Sequence, residues 1–397
     1  MNDVVIAGYL RTAFSRSRPN EPAKDWFHKL RADELLAKLL LPLIQQGGLK
    51  PEAVDDFIVG SAMGVGEQWT MGGRLPLLLA NLPETITTKF IDHQCGSSLS
   101  AIQIGFMEIA TGSAETVIAA GMEHMTRVPM GADNGIKINE HLFQDARYKH
   151  WDMDTGNNMG LTAEKLMAQS GFTREDMEKW ALRSHQRAAQ AQVDGFFDDE
   201  ILPVAAEQTD GSILQVKKDQ SVRSNTTLAA LADLKPAYRE TGNITAGTSS
   251  PLTAGAAAVL LMSRSTAMKN NIKPLATLRA FGVAGVQPAL MGSGPVPASR
   301  KALQRAGLNV QDIDYWEINE AFSAVVLYCI KELGIDPEKI NVRGGALAIG
   351  HALGASGARI TGTLARILNM RHGRYGVATA CIGGGQGIAV VIEREKQ

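Results

Sequence analysis

The chain has 397 residues, of which 45% are apolar and 20% charged, and its formal net charge is −1. That length exceeds one ordinary core and implies two or three packed units, and the composition is that of a globular protein. There is no Lys/Arg block, and no stretch approaches the roughly 20 uninterrupted apolar residues of a membrane helix, so neither nucleic-acid binding nor a transmembrane segment is expected.

From the N-terminus, Val4-Val5-Ile6-Ala7-Gly8 reads as a first strand and lacks the regions of a signal peptide. Residues 32–46 carry apolar side chains at helical spacing, with Pro42 expected to kink or interrupt the helix. Several landmarks then recur at an offset of 259 residues. Gly48-Leu49 matches Gly307-Leu308, and the strand signal Phe57-Ile58-Val59 matches Trp316-Glu317-Ile318. The small-residue run Gly96-Ser97-Ser98 matches Ala355-Ser356-Gly357, and Val117-Ile118-Ala119-Ala120 matches Gly376-Val377-Ala378-Thr379. A shared offset implies a duplicated α/β unit in which strands alternate with helices such as 296–306. Short apolar strands are expected in sheets covered on both faces. Residues 125–248 are less regular, rich in Met, Gly and Asn, and include a polar helix over 174–192. They read as a large insertion that carries either substrate contacts or a structural, tetramer-forming arm.

The three cysteines, Cys95, Cys329 and Cys381, are too few and too scattered for a disulfide framework or a zinc site, which points to a reduced, cytoplasmic protein. Cys95 stands where a strand end runs into small residues and then a helical pattern. A helix N-terminus favours a thiolate, although free cysteines are often simply buried. Residues 344–357 place five glycines around His351. This run lacks the Lys-Ser/Thr of a phosphate loop and the order of a dinucleotide site, so a backbone turn meeting a ligand, with His351 as a base, is the functional reading. Cys381 enters a third glycine run, Gly383-Gly384-Gly385, just after an apolar strand. Pseudo-symmetric halves can bring both cysteines to one crevice, as a nucleophile and a separate acid/base. Asn319, in Asn319-Glu320-Ala321-Phe322, either donates to a developing oxyanion or caps a helix. Cys329 lies on an apolar helical pattern and reads as core.

Together these motifs, with Gly121-Met122-Glu123-His124-Met125, Met159-Gly160-Leu161-Thr162-Ala163-Glu164, Thr245-Ala246-Gly247-Thr248-Ser249-Ser250 and the stretch from Met291 to Ala298, resemble the thiolase family over nearly the whole chain. The resemblance is greatest to bacterial degradative 3-ketoacyl-CoA thiolases. It implies a five-layer α-β-α-β-α sandwich of duplicated halves, with residues 1–124 completed by about 249–270, an inserted loop domain at 125–248 and a second half at 271–397.

It further implies that Cys95 is acylated, His351 takes its proton and Cys381 serves the α-carbon of acetyl-CoA. His351 and a water on Asn319 would form one oxyanion hole, and the N–H groups of Cys95 and Gly383 the other. Ser250, Arg223, Met159, Met291 and Phe322 match tunnel positions, with Ser250 at pantetheine and Arg223 at the nucleotide end. CoA thioesters would be substrates with no bound cofactor or metal. The protein would be a homodimer or homotetramer, with a possible hydratase/3-hydroxyacyl-CoA dehydrogenase partner. Acetoacetyl-CoA-specific acetyltransferases share most of the motifs; a β-ketoacyl synthase-like enzyme or a non-catalytic CoA-ester-binding subunit fits them less well. The sequence departs from the family at Asp92, His93, Gln94, Asn158, Ser224 and Ala352, which bears on substrate range.

Overall fold

The computed structural model describes residues 2–131 and 135–395. In chain order, the first half supplies β1 (Val4–Arg11), α1 (Ala32–Gln46), β2 (Asp56–Gly60), β3 (Thr87–Ile91), α2 (Ser97–Thr111) and β4 (Thr116–His124). An excursion containing α3 (Met159–Ser170), α4 (Arg174–Val193) and a ribbon of Val204–Glu207 on Ile213–Val216 precedes β5 (Thr253–Ser263). The second half supplies β6 (Ala276–Gly285), α5 (Pro295–Ala306), β7 (Tyr315–Ile318), α6 (Ser323–Leu333), α7 (Ser356–Met370), β8 (Tyr375–Ile382) and β9 (Gln386–Arg394).

The offset read from the sequence is the repeat of the fold. Adding 259 carries both ends of α2 onto both ends of α7, the starts of β2 and β4 onto those of β7 and β8, and the turn Gln94–Gly96 onto Leu353–Ala355. The strand orders are β3-β2-β4-β5-β1 and β6-β9-β8-β7. The two arrays join at β1 and β6 through only two residue pairs, Val5 with Thr277 and Ile6 with Ala276. Helix α1 covers the outer face of one array and α5 that of the other, while α2 and α7 lie between and touch both. Five layers result. Strands β1, β4 and β5 are buried along their whole lengths, as a sheet covered on both faces requires.

The matched small-residue runs have a packing cause. A Cβ on Gly357 would lie 2.4 Å from the Leu99 nitrogen, and the Ala358 N–H donates to Ser98 Oγ at 2.9 Å. The two central helices therefore meet backbone to backbone at their N-termini, and their first turns are brought to one place. Helix α1 runs unbroken through Pro42, against expectation. Leu39, Leu40, Leu43 and Ile44 are fully buried. At about 1.5–3 kcal/mol each, their burial outweighs the roughly 3 kcal/mol that a proline costs a helix interior. Among the described residues no helix is long and apolar enough to cross a membrane.

Candidate active site

Cys95 is the middle residue of the turn Gln94–Gly96 that leads into α2. The turn is strained, because Gln94 has φ +46°, a left-handed conformation rare for a residue with a side chain. Asp92, His93 and Gln94, the departures noted above, hold it. Asp92 Oδ1 accepts from the Gln94 N–H and from Gln94 Nε2, both at 3.0 Å. The His93 N–H donates to Ser97 Oγ at 3.0 Å, and the His93 ring lies between Ser100 Oγ and Gln386 Oε1. A Cβ on Gly96 would meet Ile382 at 2.5 Å, which fixes how closely the turn approaches β8.

Burial pushes the Cys95 thiol up to about 12, although hydrogen bonds from the Gly383 N–H and from its own N–H pull the other way. Loss of water thus opposes the thiolate that a helix N-terminus favours. Cys381 is fully buried next to it, and burial followed by the nearby Cys95 raises its thiol well above the usual range. Cys381 does not follow the strand as expected. It lies inside β8, paired with Gly387, so its position is set by the sheet.

His351 is buried, and its tautomer follows from its partners. Ser356 Oγ gives its one proton to the Ala352 carbonyl at 2.9 Å, so it accepts from His351 Nδ1–H at 2.6 Å. Nε2 is then the bare nitrogen, and Asn319 Nδ2 donates to it at 3.2 Å. Desolvation, with Arg359 nearby, pushes the imidazole down to about 3 and keeps it neutral. Asn319 Oδ1 is buried without a protein partner. Ala352 has φ −71°, close to the value proline would impose, so its backbone suits either residue.

Cys95 and His351 open onto one cavity of about 340 Å³, whose walls include Met125, Met159, Met291, Phe322 and Leu353. Asn158 also lines it, and caps α3 by accepting from the N–H groups of Gly160 and Leu161. A second cavity of about 550 Å³ shares the wall formed by Tyr238, Ser250, Pro251 and Leu252, and reaches Arg16, Arg18 and Arg223. Ser250 thus sits at the junction, Arg223 only at the outer end, and Met159, Met291 and Phe322 only at the inner end. Asn319, Gly383 and Cys381 line neither cavity. Ser224 is exposed beside Arg223. Sequence reasoning missed Arg16 and Arg18, whose Arg-Ser-Arg pattern near the N-terminus was the available signal. It also missed Tyr238, which packs edge-on to Phe322 with ring centroids 6.0 Å apart. Burial, followed by the nearby Arg223 and Arg18, pushes the Arg16 guanidinium down to about 10. Three arginines gathered at one cavity suit a phosphorylated ligand. Among the described residues no group of three or more His, Cys, Asp or Glu is arranged to hold a metal ion.

A half-buried nucleophile and a neutral base on one cavity, which adjoins a second, define an acyl-transfer enzyme of the condensing type. Residues 4–265 match the thiolase N-terminal domain family and residues 272–394 the thiolase C-terminal domain family. The chain belongs to the thiolase family. It is 41% identical over 397 residues to a 3-ketoacyl-CoA thiolase of Marinobacter nauticus, covering 99% of this chain and 98% of the other. It is 42% identical over 399 residues to a 3-ketoacyl-CoA thiolase of Escherichia coli, covering 99% and 100%. A crystal structure of the Bacillus anthracis acetyl-CoA acetyltransferase superposes with a TM-score of 0.88 at 35% identity, covering 100% of this chain and 99% of that one.

Proposed function

We propose that this enzyme cleaves 3-ketoacyl-CoA with CoA, giving acetyl-CoA and a shortened acyl-CoA, through an acyl group carried on Cys95. The observation that carries this reading is the placement of one thiol between two N–H donors, its own and that of Gly383, at the wall of a cavity shared with the bare Nε2 of His351. Because the thiol is held neutral and the imidazole is a weak base, proton transfer to His351 accompanies attack instead of preceding it. The sulfur adds to the 3-keto carbon, and the two N–H groups receive the charge that forms on its oxygen. The C2–C3 bond then breaks, and its electron pair becomes the enolate of acetyl-CoA, whose oxygen faces His351 and a water on Asn319. Cys381 delivers its proton to C2, and acetyl-CoA leaves. Incoming CoA gives its thiol proton to Cys381 and attacks the acyl carbon, and Cys95 leaves and recovers its proton from His351. Two simple displacements replace one three-body step, which implies ping-pong kinetics.

Ser250 would contact pantetheine and Arg223, with Arg16 and Arg18, the nucleotide phosphates. The Met-lined inner chamber suits an apolar acyl chain. The division into residues 1–124 with 249–270, an insertion at 125–248 and a half at 271–397 fits this use, because the insertion supplies much of the tunnel wall. A homodimer would use β3, the outermost strand of its array, flanked by exposed Trp69, Leu78 and Leu79. The reduced cysteines accord with a cytoplasmic setting.

The test is to incubate the enzyme with acetoacetyl-CoA in the absence of free CoA and map the adduct by mass spectrometry. An acetyl group on Cys95 is expected; turnover with no adduct at that residue would reject the reading.

A further inference from the structure

Glu123 plays no part in the steps above, yet it is fully buried beside the site. Its two carboxylate oxygens receive four donors. The N–H groups of Ala62 and Gly354 reach Oε2 at 2.8 and 2.9 Å, while Gln68 Nε2 and Ser61 Oγ reach Oε1 at 2.6 and 3.1 Å. Three of these can only donate. Backbone N–H groups have no other role, and the Gln68 amide is oriented by the His124 N–H on its oxygen and the Met63 carbonyl on its nitrogen. The cradle therefore fits the acceptor-only carboxylate, although burial pushes the group upward.

The donors come from both halves of the duplication. Ala62 belongs to the loop after β2, and its carbonyl accepts from Gln94 Nε2, the residue before Cys95. Gly354 belongs to the turn three residues after His351. A Cβ there would lie 2.5 Å from Ser61 Cα and 2.6 Å from the Met122 carbonyl, so this turn is seated directly on the first half. One oxygen atom thus ties the loop that braces the nucleophile to the loop that carries the base.

We propose that Glu123 is a positioning residue of the thiolase reaction, its carboxylate fixing the separation of Cys95 and His351 by bridging the two halves. The inference rests on the function proposed above. It also has an electrostatic consequence, because the Glu123 charge raises the Cys95 thiol. The other titratable groups facing the pair are Cys381 behind Cys95 and His351 across the cavity, with Arg359 acting on His351. His124 faces away, towards Asp25.

The experiment compares Glu123→Gln, Glu123→Asp and the unaltered enzyme in thiolysis of acetoacetyl-CoA, in the pH profile of iodoacetamide inactivation and in thermal unfolding. Glu123→Gln sets an amide nitrogen against donors and removes the charge. The expected result is a loss of about 10²-fold in kcat with KM for CoA within about twofold, the effect of misplacing reacting groups by about 1 Å. Inactivation should shift to lower pH, because removing the negative charge eases ionisation of Cys95, and Glu123→Asp should restore the profile and part of kcat. An unchanged kcat, or a kcat loss that tracks only the folded fraction with an unmoved pH profile, overturns the proposal. Should Glu123→Gln fail to fold, Gln68→Leu, which removes one donor, is expected to lower kcat with KM unchanged, and an unchanged kcat overturns the proposal. An unaltered enzyme without thiolysis would sink the function itself, and this inference with it; an active one paired with an equally active Glu123→Gln sinks only the inference.

Discussion

The turn Gln94–Gly96 and its counterpart 259 residues on, Leu353–Ala355, are the same backbone device put to opposite uses. Each is a single tight turn leading into a central helix. In the first half the middle residue is Cys95, whose thiol lines the cavity. In the second half it is Gly354, with backbone packed so closely on Gly60, Ser61 and Met122 that no side chain fits. A duplicated fold offers two places for a nucleophile. Here one keeps its side chain for chemistry, and the other gives its side chain up so that the halves can dock and His351, three residues earlier, can face the cysteine.

Substitutions at the two turns separate these uses. Cys95→Ala is expected to lower thiolysis by about 10⁴-fold or more, the scale of losing a covalent nucleophile, while CoA binding measured by calorimetry persists. Cys381→Ala is expected to slow carbon–carbon cleavage by about 10²–10⁴-fold, the worth of a positioned acid/base, and to slow acylation of Cys95 by acetyl-CoA less, because a CoA thiolate can depart without the proton that the enolate carbon needs. Rapid-quench mass spectrometry separates the two steps, and equal losses would remove the assigned role. Gly354→Ala should keep every reacting residue yet reduce kcat by about 10²-fold and stability by about 1–3 kcal/mol, because the turn must lift off the first half and shift His351 from Cys95. Further out, Arg223→Ala is expected to raise KM for CoA by about tenfold with kcat intact, and the difference should shrink in high salt. The gentlest probe is acid. His351 is depressed in the folded state to about 3 and His185, by burial and then Arg223 and Arg16, to about 4. Unfolded histidines bind protons from about pH 6.5 downward, so stability is full above that value and declines as pH falls towards the folded pKa values. A melting temperature flat from pH 8 to 5 would contradict this.

Elements built from neighbours in the chain were legible beforehand. The strand around Phe57, the helix spanning 174–192 and the glycine setting of His351 all carry local patterns, and the 259-residue offset exposed the duplication because packing of α2 on α7 demands small residues at both matched positions. Elements that exist only through distant contacts were not legible. Nothing near Arg16 or Arg18 announces that they meet Arg223, more than 200 residues away, across a tunnel mouth. The neutral state of Cys95 depends on walls drawn from Met125, Phe322 and Leu353 as well as its own helix. Glu123 lies within the motif Gly121-Met122-Glu123-His124-Met125, but its four donors come from loops up to 231 residues distant.

Strand β1 lies between β5 and β6, whose residues begin at 253 and 276. During synthesis the apolar segment Val4–Arg11 therefore leaves the ribosome without either neighbour, and at about 5–20 residues per second it waits roughly 10–50 s for the first of them. Throughout that interval an eight-residue, largely apolar ribbon with two open edges is available to any other unfinished chain, so whatever shields Val4–Arg11 favours the yield of native enzyme in a crowded translation system.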